Sequence, residues 1–401
     1  MSQSDVIVVG AGISGLAFAE SAARAGRSVV VVDRADRVGG CLSTHRSPNG
    51  YWFELGAHTC YNSYSGLASV LDRCGLREEV IARAKTQLRF LDGDRLVPGS
   101  NLGVLLRLFS WGELARSLPA VITHKKDGQT VYSYYARIVG RKNYGLVLGP
   151  MLSAVPSQNA DAFPAGMLFK SRSVRRKDYP RSFTLRGGLA TIAERLALQP
   201  KISLRLGVEA TSIDGAGGIH RVLLGGGDAL EAPVLALATP PSAASALLRG
   251  FAPELASTIA RVREAIVDTL ALAVRADRVD LPPVTFLIPR DDVFHSIVTR
   301  DSVPDASWRA FAFHFKPGTT QQARLDRALQ VLRIQPSDVE ERAERRTVLP
   351  SPVLGHEQVV SEVDRLTAGE RLAVTGNWFA GLSIEDCVER SQREWERVAD
   401  L

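Results

Sequence analysis

Three glycines at the spacing Gly10-x-Gly12-x-x-Gly15, with Asp33 roughly 20 residues further on, are the part of this 401-residue sequence best suited to chemistry. A tight turn at Gly10, a backbone open to close approach at Gly12 and close helix–strand packing at Gly15 are what a pyrophosphate-binding loop needs. The amides of Ile13 and Ser14, at the start of the following helix, would point at the phosphates, and Asp33 would accept hydrogen bonds from ribose hydroxyls. A second helix start lies near the chain's end, in GNWFAGLSIEDCVERS (376–391). There Ser383 is placed to cap a helix beginning at Ser383 or Ile384, and Glu385 and Asp386 complement the dipole of its first turn. The most basic stretch, SRSVRRKDYPR (171–181), either holds substrate carboxylates through Arg172, Arg175, Arg176 or Arg181, or forms a solvated face. WRAFAFHFK (308–316) alternates as a strand. Its side with Trp308, Ala310, Ala312, His314 and Lys316 either faces solvent or borders a ligand, which would make His314 and Lys316 substrate contacts.

These residues need a scaffold. Val6–Val9 and Ser28–Val32 are β-branched runs suited to parallel strands buried on both faces, and the helix-period segment between them stops at Gly26. Strand, helix, strand and acidic terminus agree on a dinucleotide-binding α/β unit. Further strands are expected at Ile202–Arg205, Val208–Ile213 and Val234–Ala238, the last stopped by Thr239-Pro240-Pro241, and at 372–375. Residues 76–182 read as mainly helical; the apolar stretch 102–122 packs as an ordinary helix, lines a substrate tunnel or rests on a membrane. Residues 250–364 read as a mixed sheet with strands at Ala265–Val274, Phe294–Val298 and Trp308–Lys316. The expected layout is a discontinuous cofactor domain (1–75, 183–249 and 365–401), a helical insertion (76–182) and a mixed-sheet substrate domain (250–364).

Composition narrows the classes. The apolar fraction of 45% and charged fraction of 23% are those of a globular chain, and the net charge of +6 leans toward anionic ligands. No long basic run or zinc-finger spacing points to nucleic acid, and no metal site is expected. The cysteines, Cys41, Cys60, Cys74 and Cys387, form no CxxC, so reduced thiols in a cytoplasmic protein are expected, with no leader and no membrane-spanning segment.

Past the fingerprint, RADRVGGCLSTHR (34–46) carries Gly39-Gly40, and YWFELGAHTCY (51–61) carries Gly56-Ala57-His58. With GG-L-x-x-I at 187–192, the Thr239-Pro turn and the closing GN-x-x-x-G-x-S, the sequence resembles the flavin amine oxidase superfamily, densely only at these motifs. The resemblance implies noncovalent FAD in a Rossmann-like domain of the GR2 type. Cofactor contacts would come from Arg34, Gly39, Gly40 and Cys41 (where the family usually has Arg), and from Gly56, Ala57 and His58 beside the flavin ring. Val208 would meet the adenine, Thr239 the returning turn, and Gly376, Asn377, Ser383 and Ile384 the pyrimidine edge.

Strand 264–274 lacks the Lys that amine oxidases usually carry, and the closing motif lacks their cage Tyr. The resemblance therefore points to an oxidoreductase of the protoporphyrinogen oxidase branch, taking a hydride from a C–N or C–C bond of a small molecule, with oxygen as acceptor. His58, His314 and Lys316 are the catalytic candidates. An amine or heterocycle oxidase, a redox-neutral isomerase resembling UDP-galactopyranose mutase, and a flavin-binding scaffold without turnover are the other readings. Peripheral membrane contact and the oligomeric state stay open.

Overall fold

The computed structural model describes residues 4–98, 103, 107–123, 125–168, 170 and 172–401. Its first layer is a five-stranded parallel sheet in the order Ile202–Leu206, Val29–Asp33, Val6–Val9, Val234–Leu237, Leu372–Val374. The unbroken valine runs follow from cover on both sides. On one face Val6, Val8, Val29 and Val31 pack against the first helix, Ile13–Arg24, and the last, Ile384–Ala399. Phe18 meets Trp395 edge to face across these helices, at 5.7 Å between ring centroids. On the other face Ile7, Val9, Val30 and Val32 join a core with the three-stranded meander Ala210–Ala216, Ile219–Leu224, Ala229–Ala232 and the helices Pro241–Leu248 and Pro253–Ile259.

The second sheet has seven strands, in the order Val339–Pro350, Glu264–Arg275, Trp308–Phe315, Phe294–Thr299, Val284–Pro289, Gln87–Asp92, Arg95–Leu96. Its pairs are antiparallel except Val284–Pro289 with Gln87–Asp92. Residues 76–182 are thus not helical throughout: Val80–Ala82 pairs with Ser182–Leu185, and Gln87–Leu96 completes the second sheet. Helices do occupy Trp111–Thr123 and Val131–Val139, and a π-helical turn, Tyr144–Leu148, precedes Gly149–Ala154. Of the apolar stretch 102–122, residues 102 and 104–106 lie outside the described residues. Among the described residues, no helix is long and apolar enough to cross a membrane.

The alternation in 308–316 is present, but the solvent-facing alternative is corrected: both sides are buried. Phe311, Phe313 and Phe315 pack with the helix Gln321–Leu332, and Ala310 and Ala312 pack with Tyr51, Phe53 and Leu55 from the first part of the chain. Alanines on this face let the second sheet approach closely. That brings His314 toward the loop after Leu55.

Candidate active site

At the glycine loop, local sterics decide each position. Gly10 has φ +110, and a Cβ there would lie 2.5 Å from the Ala238 carbonyl oxygen. A Cβ on Gly15 would lie 1.9 Å from the Gly10 oxygen. A Cβ on Gly12 would meet only the Gly40 Cα, at 3.7 Å, and otherwise enter open space. Two of the three glycines are therefore needed by the protein's own packing, and the third leaves room for something else. Asp33 holds the loop: its Oδ2 accepts from the Ala11 amide at 2.7 Å and its Oδ1 from the Ala35 amide at 2.8 Å. Each oxygen keeps a lone pair for an outside donor.

The open space is a cleft of ≈ 620 Å³, within the usual range for a small-ligand site. Gly10, Gly12, Ile13 and Ser14 border it at the loop, and Asp33, Arg34 and Val208 at the ribose end of the motif. Gly40, Cys41 and Ala57 form another wall, Thr239 lies at the turn after Val234–Leu237, and Gly376, Asn377 and Ile384 come from the end of the chain. Gly15, Gly39, Gly56, His58 and Ser383 stand behind this wall rather than in it. Val208 already donates its amide to the Asp33 carbonyl at 3.0 Å, so a contact from its backbone falls to its carbonyl. The Thr239 hydroxyl is buried without a partner. A Cβ-free cradle, an acidic ribose-type acceptor and an orphaned hydroxyl in one cleft fit a dinucleotide.

The last helix turns its N-terminus to the same cleft. Ser383 caps it, its Oγ accepting from the Asp386 amide at 3.1 Å. Among the described residues the amides of Ile384 and Glu385 have no recorded acceptor, and Ile384 itself borders the cleft. Arg172 of the basic stretch bonds Asp386 Oδ1 at 2.9 Å and Ser383 Oγ at 3.0 Å, and Lys170 bonds Asp386 Oδ1 at 3.1 Å. Arg176 pairs with Asp72 at 2.7 Å and with Asp178. Those two arginines of 171–181 serve the fold.

His58 and His314 meet. Their Nε2 atoms are 3.2 Å apart, and His314 Nδ1 is 2.9 Å from Thr269 Oγ1. Burial, with His295 adding to it, pushes His314 down to about 4. Burial first, then His314 and Arg83, holds His58 well below the ordinary imidazole range. Both rings are neutral at pH 7. Lys316 is not part of this pair; it lines a separate cavity of ≈ 210 Å³ with Tyr144, Asp161, Arg290 and His295.

The sequence reading missed Arg345 and its neighbours. Arg345, Arg346, Thr347 and Val348, from the strand Val339–Pro350, border the cleft, and Arg345 Nη2 donates to the Gly40 carbonyl at 2.7 Å. A guanidinium therefore does stand at the Gly39-Gly40 loop despite Cys41, but from another sheet. ERAERRTVL sets charges at successive positions without a charged–apolar alternation, so no local signal marks Arg345 among its charged neighbours.

Residues 13–345 match the family of flavin containing amine oxidoreductases. A protoporphyrinogen oxidase of Bos taurus is 25% identical over 480 aligned positions, covering 98% of each chain. Four other curated relatives, a 15-cis-phytoene desaturase of Narcissus pseudonarcissus among them, are matched over only 8% to 18% of their own lengths. A crystal structure described as a protoporphyrinogen oxidase of Exiguobacterium sp. 255-15 superposes with a TM-score of 0.79 at 20% identity, covering 99% of this chain and 98% of that one. Reduced UDP-galactopyranose mutase superposes with a TM-score of 0.76 at 15% identity, covering 99% and 96%. At these identities the two structures establish the fold.

Proposed function

The chain belongs to the flavin-containing amine oxidoreductases, and on that premise we propose that it is an FAD-dependent enzyme that oxidises a C–N or C–C bond of a small organic molecule, a porphyrinogen first among candidates, with oxygen as acceptor. The observation that carries the reading is the cleft, whose glycine cradle, orphaned Thr239 hydroxyl and helix N-terminus converge from distant parts of the chain. Bound there, FAD would supply the hydride acceptor; the protein supplies position, polarity and exclusion of water. The Gly12 backbone with the Ile13 and Ser14 amides would hold the pyrophosphate, Asp33 a ribose and the Val208 carbonyl the adenine. The free amides of Ile384 and Glu385 would face negative charge at the pyrimidine edge. His58, kept neutral and backed by His314, would orient substrate by hydrogen bonding and not by charge. Lys316 would meet only a substrate that extends to the second cavity.

The full-length similarity to a protoporphyrinogen oxidase supports the porphyrinogen choice, and so does the absence of Lys from Glu264–Arg275. The test is anaerobic mixing of the FAD-loaded protein with coproporphyrinogen III. Prompt bleaching of the flavin band, reversed by air with porphyrin fluorescence, is expected. A band that stays yellow removes porphyrinogens and directs the search to amines and heterocycles. A redox-neutral isomerase is the second reading, supported by the full-length fold similarity to UDP-galactopyranose mutase. It requires that no substrate cause oxygen uptake, and an oxygen electrode separates the two.

A further inference from the structure

The contact between His58 and His314 places two nitrogens of the same type face to face, so one must donate and the other accept. Which does so is decided one residue further back. Thr269 is 4% exposed, and His314 Nδ1, at 2.9 Å, is the acceptor within hydrogen-bonding reach of its hydroxyl. A buried hydroxyl proton left unpaired costs about 1–3 kcal/mol, so the threonine donates and His314 Nδ1 accepts. His314 then carries its single proton on Nε2 and donates it to His58 Nε2. His58, whose Nε2 is now an acceptor, carries its own proton on Nδ1. The strand register fixes the contact: Thr269 and His314 are direct partners in adjacent strands and share a face of the sheet. No carboxylate pairs with either ring among the described residues. Arg83 beside His58 opposes a second proton on that ring, and the His295 ring does the same on the His314 side.

We propose that Thr269 and His314 are positioning residues forming a tautomer relay, which fixes His58 with its proton on Nδ1 and presents that N–H outward as a donor. Among the described residues, the one hydrogen bond recorded for the His58 ring is at Nε2, so Nδ1 has no recorded partner. The ring borders a small pocket of ≈ 20 Å³, enough for about one water, together with Arg83, Thr184, Arg300 and Ser302. Thr184 Oγ1 and Arg300 Nε are buried there without partners. Glu54 also borders the pocket, but its two oxygens already accept from Thr44 Oγ1 and the Leu189 amide. The relay thus turns His58 toward a wall of donors, which suits an acceptor oxygen, whether of a water or of a substrate carboxylate or carbonyl.

The proposal rests on reading His58 as the polar group at the substrate, but its test does not need substrate. The FAD-loaded protein, labelled with 15N in its seven histidines, is examined by long-range proton–nitrogen correlation at pH 7, with His58→Gln and His314→Gln used for assignment. Expected is a His58 with a protonated, pyrrole-type Nδ1 and a bare, pyridine-type Nε2. In Thr269→Val, nearly the same shape, both His58 nitrogens should move toward the average of the two forms, although residue 269 does not touch that ring. His314→Gln, whose amide can still donate to His58 Nε2, should leave them in place. A His58 protonated on Nε2, a doubly protonated ring at pH 7, or nitrogen shifts unmoved by Thr269→Val would each overturn the relay. If the shifts behave as expected while no substrate is turned over, the relay stands and only the functional reading fails.

Discussion

Glu54 is 6% exposed, and burial pushes its carboxyl up to about 7 even though the Leu189 amide and the Thr44 hydroxyl each bond it at 2.7 Å. A folded-state pKa above the unfolded value means the native protein holds this proton more tightly. The associated stability is complete below about pH 4.5 and is lost as pH rises through 7, by on the order of 3 kcal/mol. His314 acts in the opposite sense, because its pKa is depressed to about 4. Its contribution is complete above about pH 6.5 and falls away toward pH 4. Glu54→Gln keeps an oxygen for Leu189 and can turn its NH₂ to Thr44, so its urea midpoint should change less between pH 5 and 8 than that of the parent. A parallel pair of curves would show Glu54 ionised throughout. The glycine loop gives a second test at this scale. Gly10→Ala must push against the Ala238 carbonyl at positive φ, and should cost roughly 1–3 kcal/mol of stability. Gly12→Ala, in ordinary extended backbone at φ −74, should melt with the parent when FAD is absent but bind FAD at least tenfold more weakly by fluorescence titration. Equal affinity in both proteins would place the pyrophosphate elsewhere.

The closing helix shows what spacing in the sequence reveals about an element and what it hides. Ser383 and Asp386, three residues apart, form a reciprocal cap, a local geometry that follows from residue type and separation alone. Glu385, between them, was legible only as a charge near a helix dipole. In the fold it is fully buried, and its oxygens accept from the Gly66 and Leu67 amides, each at 2.8 Å. It therefore caps the helix Ser65–Arg73, 319 residues away from Gly66 in sequence. Nothing near either residue could announce that partnership. The same limit hid Gln87–Asp92, whose parallel partner is Val284–Pro289, and Arg345, which acts at a loop of the other sheet. By contrast, four strands of the parallel sheet were legible because burial on both faces imposes an apolar run on each separately, while the edge strand Ile202–Leu206 showed itself by alternation instead. Ser383→Ala should cost about 1 kcal/mol, the usual worth of a cap. Glu385→Ala strands two buried amides at once and should cost more, about 2–4 kcal/mol by denaturant unfolding. If the alanine at 385 proves the milder change, water rather than Glu385 satisfies those amides.

Across the whole molecule, the cleft has no single owner. Its walls come from the loop after the first strand, from Asp33–Leu42, from Val208–Thr211, from the turn at Thr239, from Arg345–Val348 of the second sheet and from the chain's last helix. Between sheets, the contact from Arg345 to the Gly40 carbonyl and the 2.6 Å pair of His45 with Glu341 tie two of these walls together. The first is half-exposed at the guanidinium and the second at both partners, so each contributes little by itself. A ligand lying along the cleft would touch more of the chain than these bridges do, and a ligand that binds only the native state stabilises it by mass action. FAD at 100 times its dissociation constant should add about 2.7 kcal/mol, with a further gain for each tenfold increase. Melting temperatures of the FAD-stripped protein, followed from equimolar FAD upward, should therefore keep rising logarithmically after binding is complete. Protease protection should rise in parallel at Asp33–Leu42 and at the chain's last helix, because one ligand would hold both. A melting temperature indifferent to FAD, or protection confined to the glycine loop, would mean that the C-terminal helix does not share the cofactor site.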